Sequence, residues 1–481
     1  MNKKIEATGL EDLDQASLIA IILELREWVQ VQAAEIQKLK EQVAKNSRNS
    51  SKPPSSDGLK KPKPKSLREK GQRKTGGQQG HAGKTLRMVS APEKIVRHRL
   101  ETCPDCAQDL GQLPLEHLEK RQVFDIPPLR MQVTEHQVEV KSCPGCGKVV
   151  KASFPKGVEN PVQYGAVVKA QIAYLSTYQL LPTGRLAELI ADFYGQSLSE
   201  DTVLGVLETL AEAVKPSLEA IRAELLQAAV LHADETGLRV ADKTAWLHVL
   251  SNAQLSYYAL QAQRGQAALR QIGLVAEFKG TLVHDAYASY WLFEQCHHAL
   301  CNAHILRELR FLHEEQGQSW AGELKTLLCE MKKAVVAAHS SGQLEAHKLE
   351  YFVKTYASLL AQGCLANPPA EPSQPPKRGR LKQSTAHNLL QRLGKYQAAV
   401  LAFLHDFRIP FDNNLAERDL RMMKVKQKIS GAFRTWGGAE IFANLRSYIS
   451  TVRKQGCNVL EAIQNALLGQ PFIPSTSLMA E

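Results

Sequence analysis

The chain has 481 residues, 44% of them hydrophobic, and a formal net charge of +11, which is ordinary for a globular protein of about three domains. Residues 1–18 lack a secretory signal, and the longest apolar run, Leu18–Leu25, is too short to span a bilayer. Nine cysteines, five of them outside paired motifs, fit a reducing compartment better than a disulfide scaffold. We therefore expect a cytoplasmic protein with no membrane partner.

Residues 1–45 are predicted to form a coiled-coil helix. Their apolar residues recur at alternating spacings of three and four, with the polar Gln32 inside the seam. The other seam residues are Ile22, Leu25, Val29, Ile36, Leu39 and Val43. About three heptads favour dimerisation, and hence a homo-oligomer. An amphipathic helix packed on its own protein would show the same pattern.

Residues 46–90 are predicted to be a flexible basic linker, because they are rich in Ser, Pro, Lys and Gly and lack apolar periodicity. Residues 46–100 hold 15 Lys or Arg against three acids, so the rest of the chain is about neutral. This indicates a polyanionic partner, with nucleic acid first, although a solvated linker has the same composition. The candidate DNA-binding cations of the linker are Lys60, Lys61, Lys63, Arg73 and Lys74.

Residues 91–158 are predicted to form a small β-rich zinc ribbon. Cys103-Pro-Asp-Cys106 and Cys143-Pro-Gly-Cys146 are two CxxC pairs separated by 36 residues. Four thiolates in paired turns match structural, tetrahedral zinc, and residues 121–141 between them alternate like a strand. A redox dithiol is the alternative, but it normally needs a single CxxC at the start of a helix.

Residues 159–226 read as consecutive helices. The stretch from Arg185 to Leu210 has the proportions of a helix-turn-helix, with the turn at Gly195–Leu198. This is a possible DNA-binding region, although many helical pairs in other proteins have the same proportions.

The following segment predicts a sheet that carries two acids. Strands are expected at 228–240, 244–250 and 255–261, then an amphipathic helix near 267–278 and a strand at 280–285. Asp234 lies in the first strand and Asp285 ends the fourth. This order is that of a ribonuclease H-like core, in which the first and fourth strands are neighbours.

A third acid is expected from a later helix. Asn413 or Asn414 can cap that helix, which places Glu417 in its first or second turn. Three clustered carboxylates would repel one another without cations, and they are the ligands that Mg²⁺ prefers. Two Mg²⁺ (or Mn²⁺) ions could therefore support phosphodiester chemistry at Asp234, Asp285 and Glu417.

Isolated acids are usually solvated, and four others lie near these three: Glu235, Asp242, Asp412 and Asp419. The catalytic core is predicted at 227–295 and 410–445, interrupted by a helical insertion at 296–409 and followed by a C-terminal helical region at 446–481. The insertion contains a Pro-rich loop at 367–382, whose basic residues 377–380 could enter a minor groove or simply be solvated.

Basic residues follow the third acid and are suited to phosphate positioning. The candidate nucleic-acid contacts are Arg418, Arg421, Lys424, Arg434 and Trp436. Trp436 could stack on an unpaired base, and packing in the core is an equally good interpretation.

Segments distributed over nearly the whole chain resemble the bacterial transposases of the insertion-sequence 66 family. They are NSSKPPSSDG, GGQQGHAGKTL, the two cysteine pairs, HADETGLRV, HDAYASY, CNAHILREL, NNLAERDLR and ISGAFRTWGGAEIFANLRSYISTVRKQG. The resemblance implies that Asp234, Asp285 and Glu417 form a DDE catalytic set. It also implies a structural or DNA-positioning role for Cys301 and His304, and small accessory proteins from the same element.

Sequence and resemblance together predict a multidomain α+β protein with a ribonuclease H-like α/β catalytic core. As a DNA transposase it would bind terminal inverted repeats, cleave at each end and transfer the 3′-hydroxyls into target DNA. Two alternatives remain: a nuclease on the same core that never joins DNA, and a zinc-containing DNA-binding protein without catalysis.

Overall fold

The computed structural model describes residues 14–46, 49, 86–370, 381 and 383–474. It begins with helix α1 (Gln15–Ala44), whose N-cap residue Asp14 accepts the backbone N–H of Ser17 at 2.8 Å. All seven seam residues of α1 are exposed, and only its C-terminal end, at Ala44, packs against a core. The predicted helix is confirmed, and its seam is not covered by the part of the chain that the structure describes.

The segment around the cysteine pairs has little regular structure. Its strands are β1 (Val140–Ser142) and β2 (Val149–Lys151), which form an antiparallel pair. The strand predicted over 121–141 is wrong except at its last two residues. Alternation stabilises a strand only when one face is buried, whereas the side chains of Val123 and Val133 are each 91% exposed.

Four helices precede the central sheet: α2 (Ala166–Ala173), α3 (Thr183–Tyr194), α4 (Glu200–Ala213) and α5 (Lys215–Leu226). A π-helical turn at Tyr174–Tyr178 extends α2. Helix α3 ends at Gly195, whose φ of 66° is a left-handed conformation that glycine adopts without a steric penalty. Ser199 then caps α4 by accepting the backbone N–H of Thr202.

The central sheet has five strands in the spatial order β5-β4-β3-β6-β7. They are β3 (Val230–Val240), β4 (Lys243–Ser251), β5 (Ser256–Gln261), β6 (Thr281–His284) and β7 (His297–Leu300). β3, β4 and β5 pair antiparallel, whereas β6 and β7 run parallel to β3. The four predicted strands are confirmed; β7 was wrongly assigned to the helical insertion.

Helices cover both faces of the sheet. Alternation along β3 sends Leu231 and Ala233 into one layer and Leu238 and Val240 into the other. The first layer includes α5, α6 (Gln266–Ile272) and α7 (Leu274–Glu277). The single helix predicted near 267–278 is thus two helices, broken at Gly273, whose φ is 80°.

Five helices follow β7 and share one apolar core with it: α8 (Asn302–Gln316), α9 (Ser319–Ala337), α10 (Ala346–Ala366), α11 (Thr385–Lys395) and α12 (Gln397–His405). They form the helical insertion expected between the second and third acids. Residues 371–380 of its Pro-rich loop, including the basic stretch 377–380, lie outside the described residues.

The last helices return to the sheet and to the first helices: α13 (Asn414–Ser430), α14 (Trp436–Lys454) and α15 (Val459–Leu467). α14 runs unbroken through the boundary predicted between 445 and 446. Its second half and α15 pack with α2, α3 and α4 in one core, so the predicted regions 159–226 and 446–481 share their interior. Among the described helices, none has the length and apolarity needed to cross a membrane.

Candidate functional site

Asp234 and Asp285 lie at the same level of two neighbouring parallel strands. The ladder between β3 and β6 extends to His232 and Val283, and each aspartate lies two residues beyond this last pair. Adjacent strands are about 4.8 Å apart, so the two aspartates lie beside each other just beyond the end of the β3–β6 ladder, while β3 itself continues to Val240. Asp285 is exposed there, and its Oδ1 accepts the backbone N–H of Tyr287 at 3.1 Å.

The carboxyl group of Asp234 is held in an environment that disfavours its charge. Burial raises the pKa of Asp234 well above its ordinary value, and the carboxylates of Glu235, Asp285 and Glu417 raise it further. The backbone N–H of Glu235 donates to Asp234 Oδ1 at 2.8 Å and opposes the shift. Asp285 and Glu417 therefore lie near enough to Asp234 to disfavour its charge, and a cation would relieve that repulsion, although the three carboxyl groups do not all lie within 4.8 Å of one another.

Glu417 enters this group from the first turn of α13. The sequence predicts that Asn413 or Asn414 caps the helix with its side chain. Asn413 does occupy the N-cap position, but its side chain makes no capping hydrogen bond. The difference has a physical cause: a stronger set of partners in the core competes for the amide.

The buried side chain of Asn413 anchors the start of α13 to β3. Its Nδ2 donates to the carbonyl oxygen of Ala233 at 2.8 Å, and its Oδ1 lies 2.8 Å from Nδ1 of His232. Its backbone N–H donates to the Sγ of Cys301 at 3.1 Å. These contacts fix the helix beside Asp234, with Glu417 one turn further along.

Cys301 and His304 pack against the third acid. One ligand atom from each of Cys301, His304 and Glu417 lies within 4.8 Å of the others, and no other group of three potential metal ligands is this close in the described ranges. His304 Nδ1 is 3.8 Å from Glu417 Oε1, and both atoms are buried without a hydrogen-bond partner. Burial raises the pKa of Cys301 to about 12, so its thiol stays neutral.

Glu235, the neighbour of Asp234, belongs to a separate ion pair. Successive strand residues point to opposite faces, and the Glu235 side chain is only 2% exposed. It accepts hydrogen bonds from Arg264 Nε at 2.8 Å and from the Tyr290 hydroxyl at 2.7 Å. The guanidinium of Arg264 also lies 3.9 Å from the ring centroid of Tyr287. This ion pair could not be predicted from the sequence, because Arg264 lies in an irregular loop 29 residues after Glu235.

Of the other nearby acids, two form ion pairs with lysines and the third is exposed in a turn. Lys454 Nζ is 2.8 Å from Asp419 Oδ2, and Lys332 Nζ is 3.6 Å from Asp412 Oδ2. Asp242 lies exposed in the two-residue turn between β3 and β4. Asp285 and Glu417, by contrast, are among the charges that raise the pKa of Asp234.

The predicted cations near Glu417 are exposed: Arg418, Arg421, Lys424 and Arg434. The Nζ of Lys424 donates to the carbonyl of Gly237 at 3.2 Å, which holds it over the end of the sheet. The Trp436 side chain is 37% exposed, and its Nε1 donates to Glu440 at 2.7 Å. The linker cations Lys60, Lys61, Lys63, Arg73 and Lys74 lie outside the described residues.

The segment predicted to be a helix-turn-helix does form two consecutive helices, but the second has an unfavourable charge. Helices α3 and α4 are joined by a short turn, as predicted. The exposed side of α4 carries carboxylates: Glu200, Asp201, Glu208 and Glu212. They would repel the phosphates of a DNA groove, so the charge of α4 does not favour it as a reading helix.

The two cysteine pairs form matching turns. The backbone N–H of Cys103 donates to the carbonyl of Gln108, and the carbonyl of Cys103 accepts the N–H of Ala107. Cys143 makes the same two bonds with Lys148 and Gly147. Neighbouring backbone N–H groups lower the pKa of Cys103 and of Cys143, which favours the thiolate that binds zinc. The two turns do not bring three of these four thiols within 4.8 Å of one another.

Comparison with protein-family models identifies three segments. The model of the Transposase IS66 family matches residues 161–441, which is more than half of the chain and includes all three predicted acids. The zinc-finger binding domain of transposase IS66 matches residues 100–147, which include both cysteine pairs. A family of unknown function (DUF6444) matches residues 9–87. No curated protein matches the chain. From the match over residues 161–441, the chain belongs to the IS66 family of transposases.

Proposed function

We propose that the protein is a DNA transposase that cleaves at the ends of its insertion sequence and joins the 3′-hydroxyls to target DNA. The observation that carries this proposal is the placement of Asp234 and Asp285 at one level of adjacent strands, with Glu417 close enough to raise the pKa of Asp234. Family membership supports the same conclusion.

The strand order supports a ribonuclease H-like core. Counted along the chain, the strands of the sheet lie in the order 3-2-1-4-5, with the first three antiparallel and the last two parallel to the first. The first acid lies on the central strand and the second ends its parallel neighbour. The third acid arrives on a helix after the insertion α8–α12.

The three carboxyl groups fit divalent metal. They are oxygen ligands, they repel one another, and Glu417 Oε1 is buried without a hydrogen-bond partner. Two Mg²⁺ or Mn²⁺ ions bound there would activate the attacking hydroxyl and stabilise the leaving oxygen of an in-line displacement. Asp234 and Asp285 would hold the metal from the sheet edge and Glu417 from α13, while Asn413 keeps helix and sheet in register.

The chain uses one site for two reactions in this proposal. Water first attacks the phosphodiester at each element end and releases a 3′-hydroxyl. That hydroxyl then attacks a target phosphodiester, so one P–O bond forms as another breaks. Arg421 and Lys424 lie on the same face of α13 as Glu417 and would hold DNA phosphates during both steps.

The remaining parts supply binding and assembly. The turns of Cys103–Cys106 and Cys143–Cys146 would hold one structural zinc ion, since backbone donors already favour their thiolates. The exposed seam of α1 would pair with a second copy and bring two DNA ends together. The linker cations would add contacts to DNA. We also propose that small accessory proteins of the element take part, as the family resemblance implies.

Strand transfer with full-length protein tests the proposal. Asp234→Asn, Asp285→Asn and Glu417→Gln should each abolish cleavage of element ends and joining of precleaved ends, while DNA binding persists. Asp242→Asn, in the exposed turn of the same sheet, is the matched control and should be fully active. Normal joining by any of the three variants would refute the assignment.

The two alternatives predict different products. A nuclease would cleave intact ends but would not join precleaved ends that carry a free 3′-hydroxyl. A non-catalytic DNA-binding protein would bind the ends equally well in chelator and would cleave with neither Mg²⁺ nor Mn²⁺. Joined product that depends on the three acids excludes both.

A further inference from the structure

A polar cavity of about 320 Å³ lies on the side of α13 opposite Glu417. It is bounded by α13, by the second half of α14 and by the π-helical turn at Tyr174–Tyr178. The lining residues that matter are Tyr178, Tyr258, Arg418, Arg446, Arg453 and Lys454. At about 100° per residue, Leu415 and Met422 lie roughly 140–160° around α13 from Glu417, and Arg418 lies about 100° from it.

Arg446 is a buried cation that makes no direct ion pair with the described residues; the carboxylate of Asp419, which also lines the cavity, stabilises its charge only from a distance. Its residue surface is only 5% exposed, and its Nη1 is buried without a hydrogen-bond partner. Within the described ranges, no carboxylate lies at ion-pair distance from it; Tyr178 and Tyr258 are among its neighbours. A guanidinium in this position is costly unless an anion satisfies it.

The other charges of the cavity leave a positive excess. Lys454 Nζ uses its donors on Asp419 Oδ2 at 2.8 Å, on the carbonyl of Asn252 at 2.8 Å and on that of Leu255 at 3.1 Å. Lys454 and Asp419 therefore neutralise each other.

Three guanidinium groups remain: Arg418, Arg446 and Arg453. Arg418 and Arg453 are exposed at the mouth, and Arg446 lies at the buried end. A planar fork of donors is suited to phosphate oxygens, which accept two parallel hydrogen bonds from one guanidinium. Tyr178 ends a π-helical turn, a feature that is frequent at functional sites.

We propose that this cavity binds a phosphate group of a DNA strand that passes over α13. The inference rests on the proposed function, because that function supplies DNA as the partner. An α-helix with its side chains is about 10–12 Å wide, so the bound phosphate would lie a few nucleotides from the one at Asp234 and Asp285. Arg446 would donate hydrogen bonds to the phosphate from the buried end of the cavity, and Arg418 and Arg453 would contact it from the mouth.

The salt dependence of DNA binding tests the inference. Full-length protein is titrated with element-end DNA in chelator, where no cleavage occurs. Arg453→Gln should weaken binding and lower the slope of log K against log salt by about 1, since one phosphate contact is lost. Lys333→Gln, an exposed cation on α9, is the control and should change neither value. An unchanged slope for Arg453→Gln would overturn the proposal and leave the transposase assignment untouched.

A second measurement addresses Arg446 directly. Arg446→Lys keeps the positive charge but removes the planar pair of guanidinium donors. It should therefore lower the affinity for DNA, while the thermal unfolding of the variant stays cooperative. Inorganic phosphate should raise the Tm of the wild-type protein more than that of Arg446→Lys. Protection by phosphate with DNA affinity unchanged in Arg446→Lys would show a site for a free anion, and would contradict the proposed DNA contact.

Discussion

The side-chain amide of Asn413 donates to the backbone carbonyl of Ala233, the residue immediately before Asp234. A helix that follows a long insertion is thereby tied to the strand that bears the first acid. This bond therefore contributes to the position of Glu417 relative to Asp234.

Asn413→Ala should lower both stability and activity. It leaves the carbonyl of Ala233 and the ring of His232 without their partner in a buried place, which costs about 1–3 kcal/mol. Chemical denaturation measures the first effect and joining of precleaved ends the second. Asn414→Ala is the control, because Asn414 is exposed. Full activity in Asn413→Ala would show that α13 is positioned by other contacts.

Asp234→Asn should raise the Tm of the metal-free protein at neutral pH. Because the folded-state pKa of Asp234 is raised, its ionisation weakens the fold as the pH rises from the ordinary value of 3.8 towards the shifted one. The gain from Asn is therefore present above that window and disappears as the pH falls towards 3.8.

Scanning calorimetry in chelator over this pH range checks the prediction. Added Mg²⁺ should then stabilise the wild-type protein but not Asp234→Asn. A gain in Tm that does not depend on pH would contradict the assigned cause.

Arg264→Met should destabilise the fold by about 2 kcal/mol, because it leaves the buried Glu235 carboxylate without its cation. The expected loss of stability is smaller than for a fully buried ion pair, because the Arg264 side chain is 36% exposed to solvent, which screens its charge. Lys354→Met breaks the exposed pair with Glu350 and should cost less than about 1 kcal/mol. Adding Glu235→Gln to Arg264→Met should restore part of the loss; strictly additive effects would exclude the coupling.

Zinc removal should loosen the segment 100–147 alone. We expect one equivalent of zinc per chain by elemental analysis, and its loss in Cys106→Ser. Cys457→Ser replaces another exposed cysteine and should keep the metal. Limited proteolysis should then cut Cys106→Ser within 100–147 while the sheet and the helices stay protected. Retention of zinc by Cys106→Ser would contradict the four-thiolate site.

Charges in the seam of α1 should abolish dimers without unfolding the chain. Val29→Glu with Ile36→Glu introduces like charges where two helices would meet, yet both side chains are exposed in the single chain. Sedimentation should report monomers, and the Tm of a dilute sample should be unchanged. Arg26→Glu, also exposed on α1 but outside the seam, is the matched control. Dimers that survive the double substitution would place the interface elsewhere.

The strands β3 to β6 could be predicted because apolar residues alternate in them or run together between turn residues. β7 could not, since His297–Leu300 has only four residues and begins with two histidines. Its strand conformation comes from a parallel ladder with β6, a tertiary contact that leaves no local pattern. The opposite error occurred at 121–141, where the alternation is real but most of the apolar side chains are exposed, although Met131 packs against a core.

The candidate site could likewise be predicted only in part. Asp234 and Asp285 could be found because each is tied to a strand, and Glu417 because a turn residue precedes its helix. The contacts that hold these residues in place could not be found, since Asn413 reads as a cap and Arg264 as a loop residue. The burial of Arg446 was equally hidden, because it depends on which face of α14 meets the helices from 166–226.

Packing of α2 against α15 joins segments almost 300 residues apart in the chain. During synthesis, Ile172 and its neighbours emerge long before Val459 and Ile463, which complete their core. The helical layer around the sheet therefore closes only after α15 has left the ribosome. Truncated products that end before α15 should consequently be captured by chaperones or proteases, so that only chains containing α15 accumulate to act on DNA.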